Sequence, residues 1–503
     1  MKILTAAQIY GADQATIKNL PISSTDLMEK AATACYKWIT EQYPDRSRLI
    51  CVCCGMGNNG GDGLVISRLL IENGFRVQTY LICFSEKRSD DFDANLIRLS
   101  ELNTDIVELR NRADFPVINM QDLVVDAIFG IGLKSTPKGF TKDFIKHLNQ
   151  SGAEIISIDI PSGLFASSPV LDKEAVVRAH ETLSFQTPKL AFMLGDHRRY
   201  INNWNILNID LDSAYIENVE SPYCFIDHDF VKRFYKPRER FSHKGTFGHS
   251  LLIGGSFGKI GAMVLASKAA LKAGSGLVST YIPKCGYTSM QTSNPEIMVE
   301  VDDEQFLQFF NIKTKPDAIG IGPGLGTHAK TKKGFVDFVL QCKVPLVIDA
   351  DGLNIISEYD ELLDIIPKDT ILTPHPKEFE RLVGSWANDY EKLEKQIELS
   401  SKLECVVVLK GAYTSIAYQE MVYFNSSGNP GLATAGSGDV LTGIITGLLA
   451  QGYTVLQAAI LGVYLHGRAA DIGVVEEESM ESFIASDAIN FLGRVYHELV
   501  YKI

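Results

Sequence analysis

Apolar residues in the first 210 positions fall into short blocks separated by amphipathic stretches and glycine-bearing turns. Residues 48–54 (RLICVCC) are a continuous apolar run of strand length. A glycine-rich turn follows, and the apolar spacing then predicts a helix over 63–73 that Gly74 stops. Residues 77–84, 123–129 and 154–160 predict three more strands, the last two running into Gly or Pro. The pattern restarts at 249: strand 249–255 (HSLLIGG), a glycine turn, helix 261–274 (GAMVLASKAALKAG), strand 276–283 (GLVSTYIP). Strands at 317–322, 345–350, 370–374 and 405–411 follow. Val440, Leu441, Ile444, Ile445, Leu448 and Leu449 then mark one face of a further helix. Alternation of this kind argues for parallel sheets covered by helices on both faces. From about 210 to 240 the periodicity weakens and charges mix around Pro222 and Pro237. A boundary near 219–222 divides the chain into domains 1–220 and 221–503.

A chain of 503 residues exceeds one ordinary core, in keeping with two domains. The formal net charge of −13 argues against general binding to nucleic acid or an anionic membrane, but leaves room for a local phosphate pocket. The first residues, MKILTAAQIYGADQATIKNL, have no unbroken apolar segment and carry Asp13, so they do not read as a signal peptide. No apolar run is expected to reach the about 20 residues of a membrane span. Cys51, Cys53 and Cys54 lie inside the first apolar run and read as strand interior, with no second pair at zinc-ligand spacing. A cytoplasmic protein with reduced thiols is expected, acting on small molecules, with a homo-oligomer as the expected assembly.

Candidate chemistry concentrates at the predicted strand ends, where ligands bind in open α/β sheets. Residues 428–443 read GNPGLATAGSGDVLTG. Small residues let a backbone approach a ligand and point successive N–H groups into one concavity, and the helix that follows adds its positive end. A phosphate suits such a place. Asp439, at the helix start, is then either a cap or a catalytic base. The bland reading of this segment is a glycine-rich turn before an ordinary helix. Four further pieces recur at successive strand ends: GGSFGKIGA (254–262), GPGLG (322–326), TPHPKE (373–378) and VVVLKGAY (406–413). Singly each is weak, since a lone GPGLG is usually a turn and a lone His375 usually structural. Their recurrence is the specific observation.

In this order the motifs resemble the ADP- or ATP-dependent NAD(P)H-hydrate dehydratases, whose fold is similar to ribokinase. The resemblance covers residue 225 to the end. It implies that Asp439 deprotonates a hydroxyl for attack on a terminal phosphate, with Gly436, Ser437 and Gly438 as the anion hole. It further implies that Lys410, Gly411, Ala412, Tyr413, Thr414 and Gly438 contact the nucleotide, with magnesium. Ala262, Gly324, Gly326, His375 and Asp439 would contact the hydrated dinucleotide. Phosphorylation turns a poor leaving group into a good one, so ADP or ATP drives a dehydration. The fused arrangement resembles the ADP-using group. Lys377 and Pro430 depart from the usual pattern without removing a named ligand.

In the first half, GMGNNGGDG (55–63) stands between a strand and a helix, as a phosphate loop would, but at the spacing of neither the P-loop nor the dinucleotide fingerprint. Its asparagines and aspartate add oxygen ligands, which favours a cation or ribose contact as well. Asp126, in LVVDAIFGIGLKST (123–136), and Asp159 and Ser162, in IISIDIPSGL (155–164), also end apolar strands. An aspartate there is costly unless it binds something, although each singly could be a cap. These motifs resemble the NAD(P)H-hydrate epimerase domain over residues 1–215. The resemblance implies that Asn59, Gly60, Gly61, Asp62 and Gly63, together with Gly130, Ile131, Gly132, Leu133, Lys134, Ser135 and Thr136, hold the dinucleotide. Asp159 would be an acid/base, with Lys134 as a candidate partner, and Asn59 (or Asn58), Asp126 and Ser162 would hold potassium. Residues 89–93 and 166–172 match no motif and read as surface loops.

The expectation is thus an N-terminal Rossmann-like three-layer αβα domain and a C-terminal ribokinase-like α/β domain. The expected activity is epimerisation of hydrated NADH and NADPH plus nucleotide-driven dehydration of the S form. One rival is a small-molecule kinase with an N-terminal dinucleotide-binding domain. Another is a non-catalytic dinucleotide- or RNA-associated domain fused to an enzyme, with the acidic charge against RNA.

Overall fold

The computed structural model describes residues 1–364 and 366–501. The chain forms two compact units, Lys2–Ser221 and Pro222–Ile503, the latter joined by Met1. Among the described residues the first unit carries β1 (Ile50–Cys54), β2 (Val77–Ile82), β3 (Ile106–Leu109), β4 (Leu123–Ala127), β5 (Glu154–Ile158), β6 (Ala179–Phe185) and β7 (Ile201–Leu207). They pair in the order β3-β2-β1-β4-β5-β6-β7, parallel throughout. The chain moves outward from β1 to β3 and returns on the other side at β4. A crevice therefore opens above the carboxyl ends of β1 and β4, where the connections diverge.

The second unit repeats this logic with β8 (Tyr223–Ile226), β9 (His249–Ile253), β10 (Leu277–Ile282), β11 (Met298–Val301), β12 (Ala318–Ile321), β13 (Leu346–Ile348), β14 (Ile371–Leu372), β15 (Val406–Leu409), β16 (Ser415–Tyr418) and β17 (Met421–Asn425). The order is β11-β10-β9-β12-β13-β14-β15-β16-β17-β8, with β16 antiparallel to both neighbours. Its switch point lies between β9 and β12. The Ser437–Ala450 helix packs onto the Ile260–Lys272 helix so closely that a β-carbon on Gly443 would stand 2.0 Å from the Ala266 carbonyl oxygen. Val440, Leu441, Ile444, Ile445 and Leu448 are buried in the core beneath it.

Four expectations change. The helix after β1 begins at Asn58, with Gly57 as its cap, so NNGGDG lies in the first two turns of a helix and not in a loop before one. Residues 89–93 are not a surface loop: Ser89 caps the Asp90–Ser100 helix and accepts the Phe92 N–H at 3.3 Å. Residues 166–172 stay irregular, yet Ala166 is buried while Leu171 is exposed. The Val455–Glu476 helix is long and apolar enough to span a membrane, against the expectation of no such run. Its apolar window is 78% covered by the rest of the protein, the environment of a core helix. The three cysteines of β1 are wholly buried.

Candidate active sites

The first crevice is a cavity of about 820 Å³. Its floor is Met56–Asn59 and Asp62 after β1, Ile128–Lys134 after β4, and Asp159 after β5. Asp159 holds φ +67, a left-handed conformation that an aspartate tolerates better than most residues. Its Oδ2 accepts the Ile131 N–H at 3.0 Å, and its Oδ1 lies 3.6 Å from Lys189 Nζ. Lys189 is fully buried and donates to the Phe185 and Thr187 carbonyls at 3.1 and 3.0 Å. Burial holds its ammonium below the ordinary lysine value, with Asp159 and Asp13 opposing. Lys134 lines the same cavity but is exposed, so the partner of Asp159 is Lys189, in the turn after β6. No apolar strand pattern announced β6, and this lysine was missed with it.

Burial and the Asp159 charge push Asp62 well above the ordinary carboxylate range. Gly130 needs to be glycine for the carboxylate's sake: a β-carbon there would lie 2.9 Å from Asp159 Oδ2 and 3.4 Å from Asn59. Gly60, Gly61 and Gly63 do not face the cavity. A β-carbon on Gly60 would meet the Gly55 carbonyl at 1.9 Å, on Gly61 the Met28 sulfur at 2.6 Å, and on Gly63 the Cys54 sulfur at 2.7 Å. Their smallness seats the helix on the sheet. Ser135 and Thr136 also fall outside the lining, while Phe84, Lys87 and Arg88 contribute to it unforeseen.

Asp126 is buried, and its carboxylate accepts from Ser157 Oγ at 2.7 Å, Ser162 N at 2.9 Å and Ser162 Oγ at 2.5 Å. Ser162 Oγ in turn accepts the Phe129 N–H at 2.8 Å. Among the described residues, both polar atoms of the Asn59 amide are buried without a partner. An orphaned amide oxygen and a buried carboxylate–serine network are oxygen donors that suit a weakly charged cation, which accepts such donors in flexible number.

The second crevice is a cavity of about 430 Å³ lined by Gly258, Lys259, Gly261 and Ala262 after β9, Gly324 after β12, Asp351 after β13, and Ala435, Gly436 and Asp439. Gly436 caps the Ser437–Ala450 helix at φ +89, a conformation glycine adopts without strain. The helix therefore starts at the cavity edge, with Asp439 in its first turn. Burial and the Asp349 carboxylate push Asp439 up to about 6, with Lys410 pulling down and Asp351 adding to the rise.

Lys410 Nζ donates to Asp349 Oδ1 at 2.8 Å, and Thr442 Oγ1 donates to Asp349 Oδ2 at 2.6 Å. Asp351 Oδ2 accepts the Gly326 N–H at 2.8 Å and Lys259 Nζ at 3.3 Å. Between these two aspartates Ala350 is held at φ +48, ψ −121, a strained backbone for a residue with a β-carbon. The pair was missed because 345–350 read only as a strand. Ser437 Oγ stands 3.3 Å from Nε2 of the buried His466, whose burial brings it down to about 4, leaving a neutral ring.

His375 caps a helix. Its Nδ1 accepts the Lys377 and Glu378 N–H groups, capping the Pro376–Val383 helix, and Glu378 Oε2 accepts the His375 N–H at 2.8 Å. Burial raises Glu378, while Lys410 lowers it. Gly326, His375 and residues 410–414 lie outside the cavity lining, although Lys410 reaches Gly438, where a β-carbon would be 3.3 Å from Nζ.

Two family descriptions match this chain: NAD(P)H-hydrate dehydratase over residues 250–490 and YjeF-related protein N-terminus over residues 24–191. The bifunctional NAD(P)H-hydrate repair enzyme Nnr of Moorella thermoacetica is 34% identical over 99% of this chain and 97% of its own length. The chain belongs to the bifunctional NAD(P)H-hydrate repair enzyme family. The Coxiella burnetii member is also 34% identical, over 93% of each chain. The ADP/ATP-dependent NAD(P)H-hydrate dehydratase of Bacillus subtilis, co-crystallised with ATP and Mg2+, is 30% identical over 55% of this chain and 98% of its own, with a TM-score of 0.46. Family membership spans both crevices, since the two matched segments contain the switch point of each sheet.

Proposed function

We propose that the chain repairs hydrated NADH and NADPH in two steps: the Lys2–Ser221 unit interconverts the R and S hydrates, and the Pro222–Ile503 unit dehydrates the S form at the expense of ADP or ATP. One observation carries the reading. A single chain, alignable from end to end with bifunctional repair enzymes, has a carboxylate lining the cavity of each of its two units, Asp159 in one and Asp439 in the other.

In the second unit Asp439 is the base. It takes the proton of the substrate hydroxyl as that oxygen attacks the terminal phosphate of the nucleotide. The N–H groups at Gly436–Gly438 and the helix end receive the charge that develops on the transferred group. Phosphate then leaves with the C–O electron pair, and loss of a proton from the adjacent carbon completes the dihydronicotinamide. Lys410, anchored by Asp349, places a positive charge beside Gly438. Magnesium, when bound, neutralises the nucleotide phosphates.

In the first unit Asp159, fixed by Ile131 and Lys189, handles the proton of the hydroxyl at the inverting carbon. Asn59, Asp126 and Ser162 would hold potassium, which when bound balances the buried Asp126 charge and braces the turn after β4. Substrate contacts fall to Asp62, Gly130, Ile131, Gly132 and Leu133 on one unit, and to Ala262 and Gly324 on the other.

The test is recovery of reduced-nicotinamide absorbance from a mixed R/S NADH hydrate with purified protein, magnesium, potassium, and ADP or ATP. Complete, nucleotide-dependent recovery is expected. Recovery that stops when the S form is consumed would remove the epimerase reading, and no recovery with either nucleotide would leave a small-molecule kinase.

A further inference from the structure

The first cavity holds a titratable group that the reading above does not use. Asp13 lies on the Ala6–Asn19 helix, ahead of the residues 24–191 matched by the family description. Ala6, Ile9, Tyr10 and Asp13 share one helix face by their three- and four-residue spacing, and that face forms a wall of the cavity. Asp159 belongs instead to the floor, just past the carboxyl end of β5. Among the described residues the Asp13 carboxylate has no hydrogen-bond partner, and it is close enough to Asp159 and Lys189 to feel both charges.

We propose that Asp13 is the second proton carrier of this cavity, acting on the opposite face of the hydrated carbon from Asp159; the proposal rests on the epimerase reading above. Inversion requires a proton-handling group on each face. The hydroxyl sits on the ring carbon next to the ring nitrogen. As the C–O bond breaks, the nitrogen lone pair forms a C=N bond, and the departing oxygen takes a proton from one carboxylic acid and leaves as water. Water then adds to the other face of that carbon, the C=N electron pair returns to nitrogen, and the proton released goes to the other carboxylate. The sum is redox-neutral. One proton has moved from one aspartate to the other and returns through solvent at the mouth of the cavity.

The surrounding charges favour this division of labour. Asp13 is faced by Asp62 from the Asn58–Glu72 helix and by Asp159 and Lys189 from beyond β5 and β6, with Lys87, Arg88 and Lys134 also lining the cavity and Tyr10 on its own helix. Burial and the Asp159 charge push Asp13 up to about 6, with Lys189 opposing, so it exchanges a proton near neutrality. Burial and the Asp159 charge push Asp62 well above the ordinary carboxylate range. Asp159 is the member paired with Lys189, its Oδ1 3.6 Å from Nζ.

The experiment uses the full-length protein and pure S-hydrate without nucleotide, with formation of the R epimer followed by chromatography across pH 5 to 9. Wild type should equilibrate the epimers with a limb near pH 6. In Asp13→Asn the rate should fall about 100-fold and that limb should vanish. Nucleotide-driven dehydration of the S form, measured on the same preparation, should be unchanged, which shows that the second unit is intact, and an unchanged calorimetric transition of the Lys2–Ser221 unit shows that the first is folded. Asp13→Glu should restore part of the rate together with the limb. An Asp13→Asn rate within threefold of wild type, or a limb that persists in it, overturns the role of Asp13 and leaves the epimerase reading standing. Should Asp13→Asn also lose its fold, an Asp13→Glu variant without epimerisation overturns the proposal. A wild-type protein that does not equilibrate the epimers overturns the epimerase reading, and this proposal with it.

Discussion

Replacing Asp439 with Asn should make the protein less active and more stable, and the stability gain should depend on pH in one direction only. Asp439 rises from 3.8 to about 6 on folding, with burial as the first cause and Asp349 as the second. A group whose folded pKa exceeds its unfolded value favours folding most below the unfolded value, where it is protonated in both states. That advantage is lost as pH climbs through the folded value, because the buried carboxyl must then ionise. At about 1.36 kcal/mol per pKa unit the rise is worth about 3 kcal/mol, and water reaching the cavity reduces this to about 2. Asparagine has the same shape and no such penalty. At pH 8 the transition of the Pro222–Ile503 unit, followed by calorimetry, should rise by roughly 5 °C in Asp439→Asn, and the difference should close as pH approaches 4. Dehydration of the S-hydrate should fall by about 10²- to 10⁴-fold over the same range. A variant that is no more stable than wild type at pH 8, or whose advantage does not shrink on acidification, would refute the account of Asp439 as a buried carboxylate kept for catalysis at the expense of stability.

Charges near Asp439 supply a paired test. Lys410 lowers its pKa and Asp349 raises it, so the acid limb of dehydration at saturating nucleotide should move by about one pH unit to higher pH in Lys410→Met and to lower pH in Asp349→Asn. Limbs that move the same way would sink this electrostatic picture. Gly443→Ala places a methyl 2.0 Å from the Ala266 carbonyl; denaturant unfolding should show a loss of about 2–4 kcal/mol. At Ala350, with φ +48 and ψ −121, glycine relieves about 1–3 kcal/mol of strain against a glycine penalty of about 0.5–1. Ala350→Gly should therefore melt higher while turning over more slowly, since Asp349 and Asp351 are then less firmly held. Equal or higher kcat would contradict a role for that strain.

The central strands of both sheets were legible because they are buried on both faces and so read as unbroken apolar runs, as in ICVCC of β1 and VVVL of β15. Peripheral strands were not. The β6 sequence AHETLSF and the β7 sequence INNWNIL mix polar and apolar positions, because strands toward a sheet's edge lose cover on one side. The omission had a consequence at the site, since β6 delivers Lys189. Helix starts were also placed late where glycines fill the first turn, as at Asn58. Glycine has the composition of a loop, and only the helix–sheet contact reveals that its smallness is there for packing.

By itself the sequence determined that two α/β units follow one another, that their glycine-rich segments lie at strand ends, and that Asp159 and Asp439 stand where chemistry is expected. These are local facts of spacing, residue size and periodicity, and they survive without knowledge of what lies opposite. Tertiary structure alone decided which groups face those aspartates: Lys189 and Asp13 around one, Asp349, Asp351 and Lys410 around the other. It also separated the glycines that face a cavity from those that seat a helix, and gave His375 a capping role. The physical reason is that proton affinity and ligand contact depend on charges and burial a few ångströms away in space, contributed by residues such as Asp13 and Lys189 that stand 176 positions apart in the chain.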